Sequence, residues 1–159
     1  KLRATKETFM HIPLLYHYAK RPDKSSSTLR NILAKAYSTA RNGLPDNEDM
    51  GCHSAFYICG LMGLYPMMGQ DWYFLTAPAF TRIEVSLGES SRKLIIEAPK
   101  ASPAHLYIAA ASLNGKALNK AWIQHHEISD GAHITFELST TPTTWGRDTQ
   151  PPSPITSGN

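Results

Sequence analysis

The 159-residue sequence predicts an α+β chain in which helices come first and antiparallel strands follow. Two observations carry this. Apolar residues recur at helical spacing up to about residue 70, and at a spacing of two from Asp71 onward. Turn residues then divide the second part into short runs, the rhythm of a sandwich rather than of alternating β–α units. Residues 1–70 therefore form a helical region and residues 71–139 an antiparallel β-sandwich-like region. Residues 140–159, with four Pro and six Thr, read as a tail or linker.

Three helices are predicted in the first part. His11-Ile12-Pro13-Leu14-Leu15-Tyr16-His17-Tyr18-Ala19 can begin one with Pro13 in its first turn, where the missing N–H costs nothing. Arg21-Pro22-Asp23 stops it. Ser25-Ser26-Ser27 offers N-caps for the second, whose Leu29, Ile32, Leu33, Ala36 and Tyr37 make one buried stripe. Asn42-Gly43 is its expected end. The third, about Cys52 to Leu64, is apolar on nearly every face, which belongs inside something larger. Five strands follow: 72–76, 82–87, 93–98, 106–112 and 133–139. Asn114-Gly115 tolerates positive φ at both positions and marks a hairpin tip.

The charge balance excludes some partners. Net charge is +3, of which +4 lies in the first fifty residues and −1 in the rest. Neither figure gives the clustered basic face of a nucleic-acid binder. The longest apolar stretch, Ile58 to Met68, is broken by Gly60, Gly63 and Pro66, so no membrane span is expected. No hydrophobic segment of signal-peptide length follows the charged start. Cys52 and Cys59 on one helix would lie roughly 10 Å apart, too far for a disulfide, and read as buried thiols.

Gly43-Leu44-Pro45-Asp46-Asn47-Glu48-Asp49-Met50-Gly51 is the stretch that could carry chemistry. It is a turn-rich loop with three carboxylates in four positions, leading at once into the third helix. A carboxylate at a helix N-terminus meets unpaired N–H donors and the positive end of the macrodipole, which favour the ionised form a general base needs. The plainer alternative makes Asp49 an N-cap and leaves Asp46 and Glu48 as solvated charges. The consecutive acids lack the alternating spacing of an EF-hand. His125-His126-Glu127 with His133 lacks zinc spacing, since adjacent histidines in a strand face opposite ways. His11, His17 and His53 read as structural.

At this loop the sequence resembles glycoside hydrolase family 92, the calcium-dependent, inverting exo-α-mannosidases. The base loop is followed by Ser54-Ala55-Phe56-Tyr57 and Gly63-Leu64-Tyr65-Pro66, as in that family. The segment His11 to Ala19 is similar to its His-Ile-Pro-Tyr-Leu-Tyr-Asn-Tyr-Ala-Gly. Leu113 to Ile123 resembles its late hairpin, and Trp145-Gly146 with Pro151-Pro152-Ser153 its C-terminus. Where relatives read Gly-Asn-Glu-Pro-Ser-His-His, this chain keeps Glu7 and His11 and carries Lys6 in place of Asn; Asp46 replaces a Gly.

The resemblance implies that the helices are the last ones of an (α/α)6 barrel. It places the general base at Asp49 with Glu48 as its acidic neighbour, and substrate contacts at Asn47, Glu7 and His11. It implies an α-mannoside or N-glycan substrate, α-1,2-linked mannose first among them, and a secreted or periplasmic setting. It also implies Ca2+ held by ligands mostly outside this chain, so no metal ligand is assigned. Glu48 and Asp49 are adjacent, whereas inversion needs acid and base carboxyls roughly 6.5–9.5 Å apart. The acid is therefore expected upstream, in the remainder of a longer polypeptide, and this chain alone should be inactive. Two rivals stand beside this: a carbohydrate-binding or interaction module stacking sugars on Trp72, Trp122 or Trp145, and an inactive remnant.

Overall fold

The computed structural model describes residues 6–88 and 91–153. After a 3-10 turn over Glu7–Phe9, a 3-10 helix covers Ile12–His17, and two α-helices follow, α1 (Pro22–Ala36) and α2 (Cys52–Met62). The strands are β1 (Leu64–Pro66), β2 (Trp72–Leu75), β3 (Arg82–Ser86), β4 (Lys93–Glu97), β5 (Tyr107–Leu113), β6 (Lys116–Ala117), β7 (Trp122–Gln124) and β8 (Ala132–Ser139). Helices first, strands after, is the predicted α+β order. The short strands β1, β6 and β7 were not expected.

The first segment is 3-10 rather than α for a local reason. An α-helix would give the Leu14 carbonyl to the Tyr18 N–H. Here the ring of His17 and the Ser25 hydroxyl reach that carbonyl at 3.1 and 3.3 Å, and Tyr18 donates to Leu15 instead. Helix α1 starts at least four residues earlier than predicted, with Arg21 rather than a serine at its N-cap. Pro22 sits in its first turn, and Ser25 and Ser26 are buried links rather than caps. Ser26 Oγ accepts the Ala77 N–H at 2.7 Å. The helix ends at Ala36, before Asn42-Gly43, because Tyr37 is extended and a turn then closes from Ser38 N to Gly43 O at 2.9 Å.

Leu29, Leu33 and Tyr37 form the buried stripe and meet α2 at Phe56 and Gly60. A methyl on Gly60 would come within 2.6 Å of Leu33 Cδ1, so the helices approach closely. Only His53, Phe56 and Gly60 of α2 are buried; Ala55 faces solvent and Ile58 is 57% exposed. Cys52 and Cys59 are free thiols, half-buried rather than buried.

The strands form two sheets. The first, β1-β2-β7, is antiparallel; the second runs β3-β4-β8-β5-β6. The two pack around Leu75, Ile96, Ile123, Ile134 and Phe136. The sandwich-like packing is present, but the wholly antiparallel expectation needs correcting: β4 and β8 are parallel, with Ile96 opposite Ile134. Alternation along Leu94 and Ile96, or Ile134, Phe136 and Leu138, fixes which face is buried and is silent on strand direction. The expected hairpin joins β5 to β6, with Asn114 and Gly115 at φ 49° and 76°.

Sheet β1-β2-β7 straddles residue 70. Trp72 and Phe74 belong to the core under the helices, while Leu75 belongs to the core between the sheets. Residues 140–153, expected as a tail, lie against the body: Trp145 Nε1 donates to Leu118 O at 2.8 Å, and Tyr18 Oη to Pro152 O at 3.1 Å. Arg147 and Arg21 both pair with Asp23, which is 4% exposed. Residues 154–159 lie outside the described residues.

Gly63 ends α2 at φ 74°, and a Cβ there would collide with the Thr76 carbonyl oxygen. Gly63→Ala should therefore destabilise by about 2–5 kcal/mol, combining left-handed strain with overpacking. Gly69, at φ 72° with nothing within 4 Å, is the control. Gly69→Ala should lose only the conformational share, about 1–2 kcal/mol. Equilibrium urea midpoints compare the two, and equal losses would refute the steric argument.

Candidate active site

The acidic loop is shaped by three successive left-handed residues, Asp49, Met50 and Gly51, at φ 44°, 60° and 86°. The first two are not glycine, and such backbone costs on the order of 1–3 kcal/mol per residue. The run separates the fates of neighbouring carboxylates. Glu48 turns inward, and its Oε1 accepts the Ser54 N–H at 3.1 Å, in the first turn of α2. Its Oε2 is buried with no partner among the described residues. Glu48, not Asp49, thus caps the helix, so the plainer reading of Asp49 as N-cap does not hold.

Asp49 is exposed, and its carboxyl lies close enough to that of Glu7 for the two to perturb each other. This proximity is the main cause that pushes the Asp49 pKa up and the Glu7 pKa down, as expected for two carboxyls sharing one proton. The expected dominance of the helix end over Asp49 is therefore reversed by Glu7. A second tie joins the same segments: Lys6 Nζ stands 3.3 Å from Asp46 Oδ2. Asp46 is held below the usual carboxylate range, first by the Asn47 N–H and then by Lys6.

Glu7 and His11 line a cavity of about 270 Å³, whose walls include Cys52, Phe56, Tyr65 and Met68. Burial pushes the Tyr65 hydroxyl up to about 12. The structure thus brings together Glu7, Asp49 and, through the cavity, His11. Asn47 is exposed and is not part of that lining, and Glu48 is committed to α2. Sequence reasoning missed Lys6 as a tie to the loop, since only the fold brings residues 6 and 46 together. It also missed the support beneath, where Tyr37 Oη lies 2.9 Å from Nδ1 of the fully buried His53.

His17 is structural, as expected. It is buried between the Leu14 and Leu75 carbonyls at 3.1 and 3.2 Å, and desolvation pushes its pKa down to about 4. His125–Glu127 forms a 3-10 turn rather than a strand. Glu127 there binds Lys120 at 2.8 Å, and Nδ1 of His125 lies 2.8 Å from Tyr73 Oη. Trp72 is 2% exposed and offers no stacking face; Trp145 and Trp122 are half-buried, and Lys120 Nζ lies 4.2 Å from the Trp122 ring centroid.

Among the described residues no three His, Cys, Asp or Glu side chains converge to hold a metal ion. The lone buried Oε2 of Glu48 is one donor, and Ca2+ takes six to eight oxygens. These residues do not make up a calcium site. No described helix is long and apolar enough to cross a membrane.

Residues 1–140 match the glycosyl hydrolase family 92 catalytic domain. The chain belongs to this family. A protein of Arthroderma benhamiae, described as an uncharacterized secreted glycosidase, is 29% identical over 143 residues. That alignment takes in 87% of this chain and 19% of the relative. A family 92 α-mannosidase of Bacteroides thetaiotaomicron, solved with mannoimidazole, is 28% identical with a TM-score of 0.88, covering 94% of this chain and 20% of that one. The family 92 inverting mannosidase of the same organism is 29% identical with a TM-score of 0.79, over 86% and 19% of the two chains. The family 92 chain described here thus spans about a fifth of the length of these relatives.

Proposed function

We propose that this chain is the C-terminal part of the catalytic unit of an inverting exo-α-mannosidase, to which it contributes the general base, Asp49. The observation that carries the reading is the strained 49–51 turn, which takes Asp49 away from the helix end and sets its carboxyl against Glu7. Ionised, Asp49 accepts a proton from water as that water attacks the anomeric carbon on the face opposite the leaving group. Glu48 holds the loop to α2. Glu7 and His11 line the cavity, where they contact sugar hydroxyls, and Asn47, outside that lining, reaches the sugar from the exposed loop. The exposed apolar side of α2, with Ile58, suits packing against further helices of an (α/α)6 barrel. Any Ca2+ is held by residues beyond those described, and the general acid comes from the remainder of the polypeptide. The relative named as secreted supports a secreted or periplasmic setting. The substrate of this reading is an α-mannoside of N-glycans, α-1,2-linked mannose first, and the mannosidase solved with mannoimidazole supports its mannoside part.

Expressed alone, with or without Ca2+, the 159-residue chain should give no hydrolysis of aryl α-mannosides or α-1,2-mannobiose. The full-length protein should release mannose with inverted configuration. Turnover by the short chain that survives repurification would overturn the external origin of the acid.

A second reading is favoured by one observation. Glu7 and Asp49 are two carboxyls from separate segments sharing a proton, and environments that split such a pair mark an acid and a base. In the unliganded pair the proton sits on Asp49, so Glu7 becomes the acid only if bound sugar and water part the two to roughly 6.5–9.5 Å and leave the proton on Glu7. An activated aryl mannoside, whose leaving group needs no proton, separates the readings. With Glu7 as acid, Glu7→Gln keeps turnover on that substrate while losing it on mannobiose; with Glu7 as a sugar contact, both fall together.

A further inference from the structure

Between α1 and α2 lies a second hollow, of about 310 Å³, lined by Arg30, Tyr37, Ser38, Thr39 and Tyr57 among others. Arg30 is 9% exposed. Its guanidinium carries five N–H donors. Among the described residues it has one hydrogen bond, from Nη1 to Ala77 O at 3.4 Å, too long to be strong. Arg21 and Arg147, by contrast, pair with the buried Asp23, whereas among the described residues Arg30 has no such acid. Burial, unopposed by any carboxylate, pushes its pKa down. Its remaining nitrogens are not among the sealed polar atoms, so solvent reaches them, and the hollow is the opening that Arg30 lines. A buried cation left in this state is costly unless something pairs with it.

We propose that this hollow is a carboxylate site, in which the Arg30 guanidinium forks onto the two oxygens of one carboxylate. The flat fork matches a flat acid, and a single positive charge suits a single negative one. Ser38 and Thr39 place hydroxyls in the lining, and Tyr37 and Tyr57, stacked 5.4 Å apart between ring centroids, make a stiff wall. The carboxylate has two possible sources: an Asp or Glu side chain of the polypeptide beyond these residues, or a free acid such as a sugar acid. The polypeptide source rests on the reading that this chain is part of a longer protein, and neither source requires that protein to be a glycosidase.

The test is thermal unfolding of the full-length protein, wild type, Arg30→Met and Arg30→Lys, with and without glucuronate, and with glucose as the neutral control. If the acid comes from the polypeptide, Arg30→Met strands a buried carboxylate and Tm falls by several degrees, while Arg30→Lys, which keeps the charge, falls less. Glucuronate then changes nothing. If the acid is free, glucuronate raises the wild-type Tm, glucose does not, and Arg30→Met abolishes the rise. The proposal is overturned if Arg30→Met melts at or above wild type with no glucuronate response. Equal losses for Met and Lys without that response overturn it too, because packing alone would then explain them.

Discussion

Asp49→Asn in the full-length protein should lower kcat on an α-mannoside by about 10²–10⁴-fold, the usual worth of a positioned general base. Asn keeps the size and one acceptor oxygen, so KM should move far less than kcat. The strained backbone at 49–51 is left unchanged, because Asn tolerates left-handed φ well. Glu48→Gln is the matched comparison: the same loop, the neighbouring position, and the same loss of one negative charge. Glu48 spends Oε1 on the Ser54 N–H, and a Gln carbonyl can accept that bond. Its kcat should therefore fall much less. Steady-state kinetics decides: if Glu48→Gln abolished turnover while Asp49→Asn kept it, the base would be Glu48. If neither mattered in an active enzyme, this loop would be structural.

The second large effect concerns pH. The Glu7 carboxylate raises the pKa of Asp49, so the base is ionised only above that raised value, and activity is lost as pH falls through it. Glu7→Gln removes the neighbouring charge, lowers the Asp49 pKa and keeps the base ionised to lower pH. The acidic limb of kcat/KM should thus move downward in Glu7→Gln. An unmoved limb, measured on an activated aryl mannoside so that leaving-group protonation does not intrude, would show that Glu7 and Asp49 do not share a proton in the working enzyme.

Much of this was legible because it is local. The buried stripe Leu29, Leu33, Tyr37 follows from helical spacing, and the Asn114-Gly115 turn from residues that accept positive φ. What could not be read depends on partners distant in sequence. The 3-10 form of residues 12–17 rests on the His17 ring and Ser25 competing for one carbonyl. The parallel pairing of β4 with β8 leaves no trace in alternation, which is the same in either direction. In the candidate site, the order of acids in the loop pointed to Asp49 and Glu48 together. Only the backbone run at 49–51 shows that one caps a helix while the other meets Glu7.

The position of β8 in its sheet has a consequence for how the chain is made. It lies between β4 and β5, and of the five strands of this sheet it is the last to leave the ribosome. Until residue 135 has emerged, the β3-β4 and β5-β6 hairpins are two separate ribbons, each with an open edge and with Leu94, Ile96 or Ile108 uncovered. Open edges beside bare aliphatic faces invite pairing with another nascent chain. Completion of this sheet is thus a single late event of long sequence separation, slow by nature, and the half-made protein depends on it for protection.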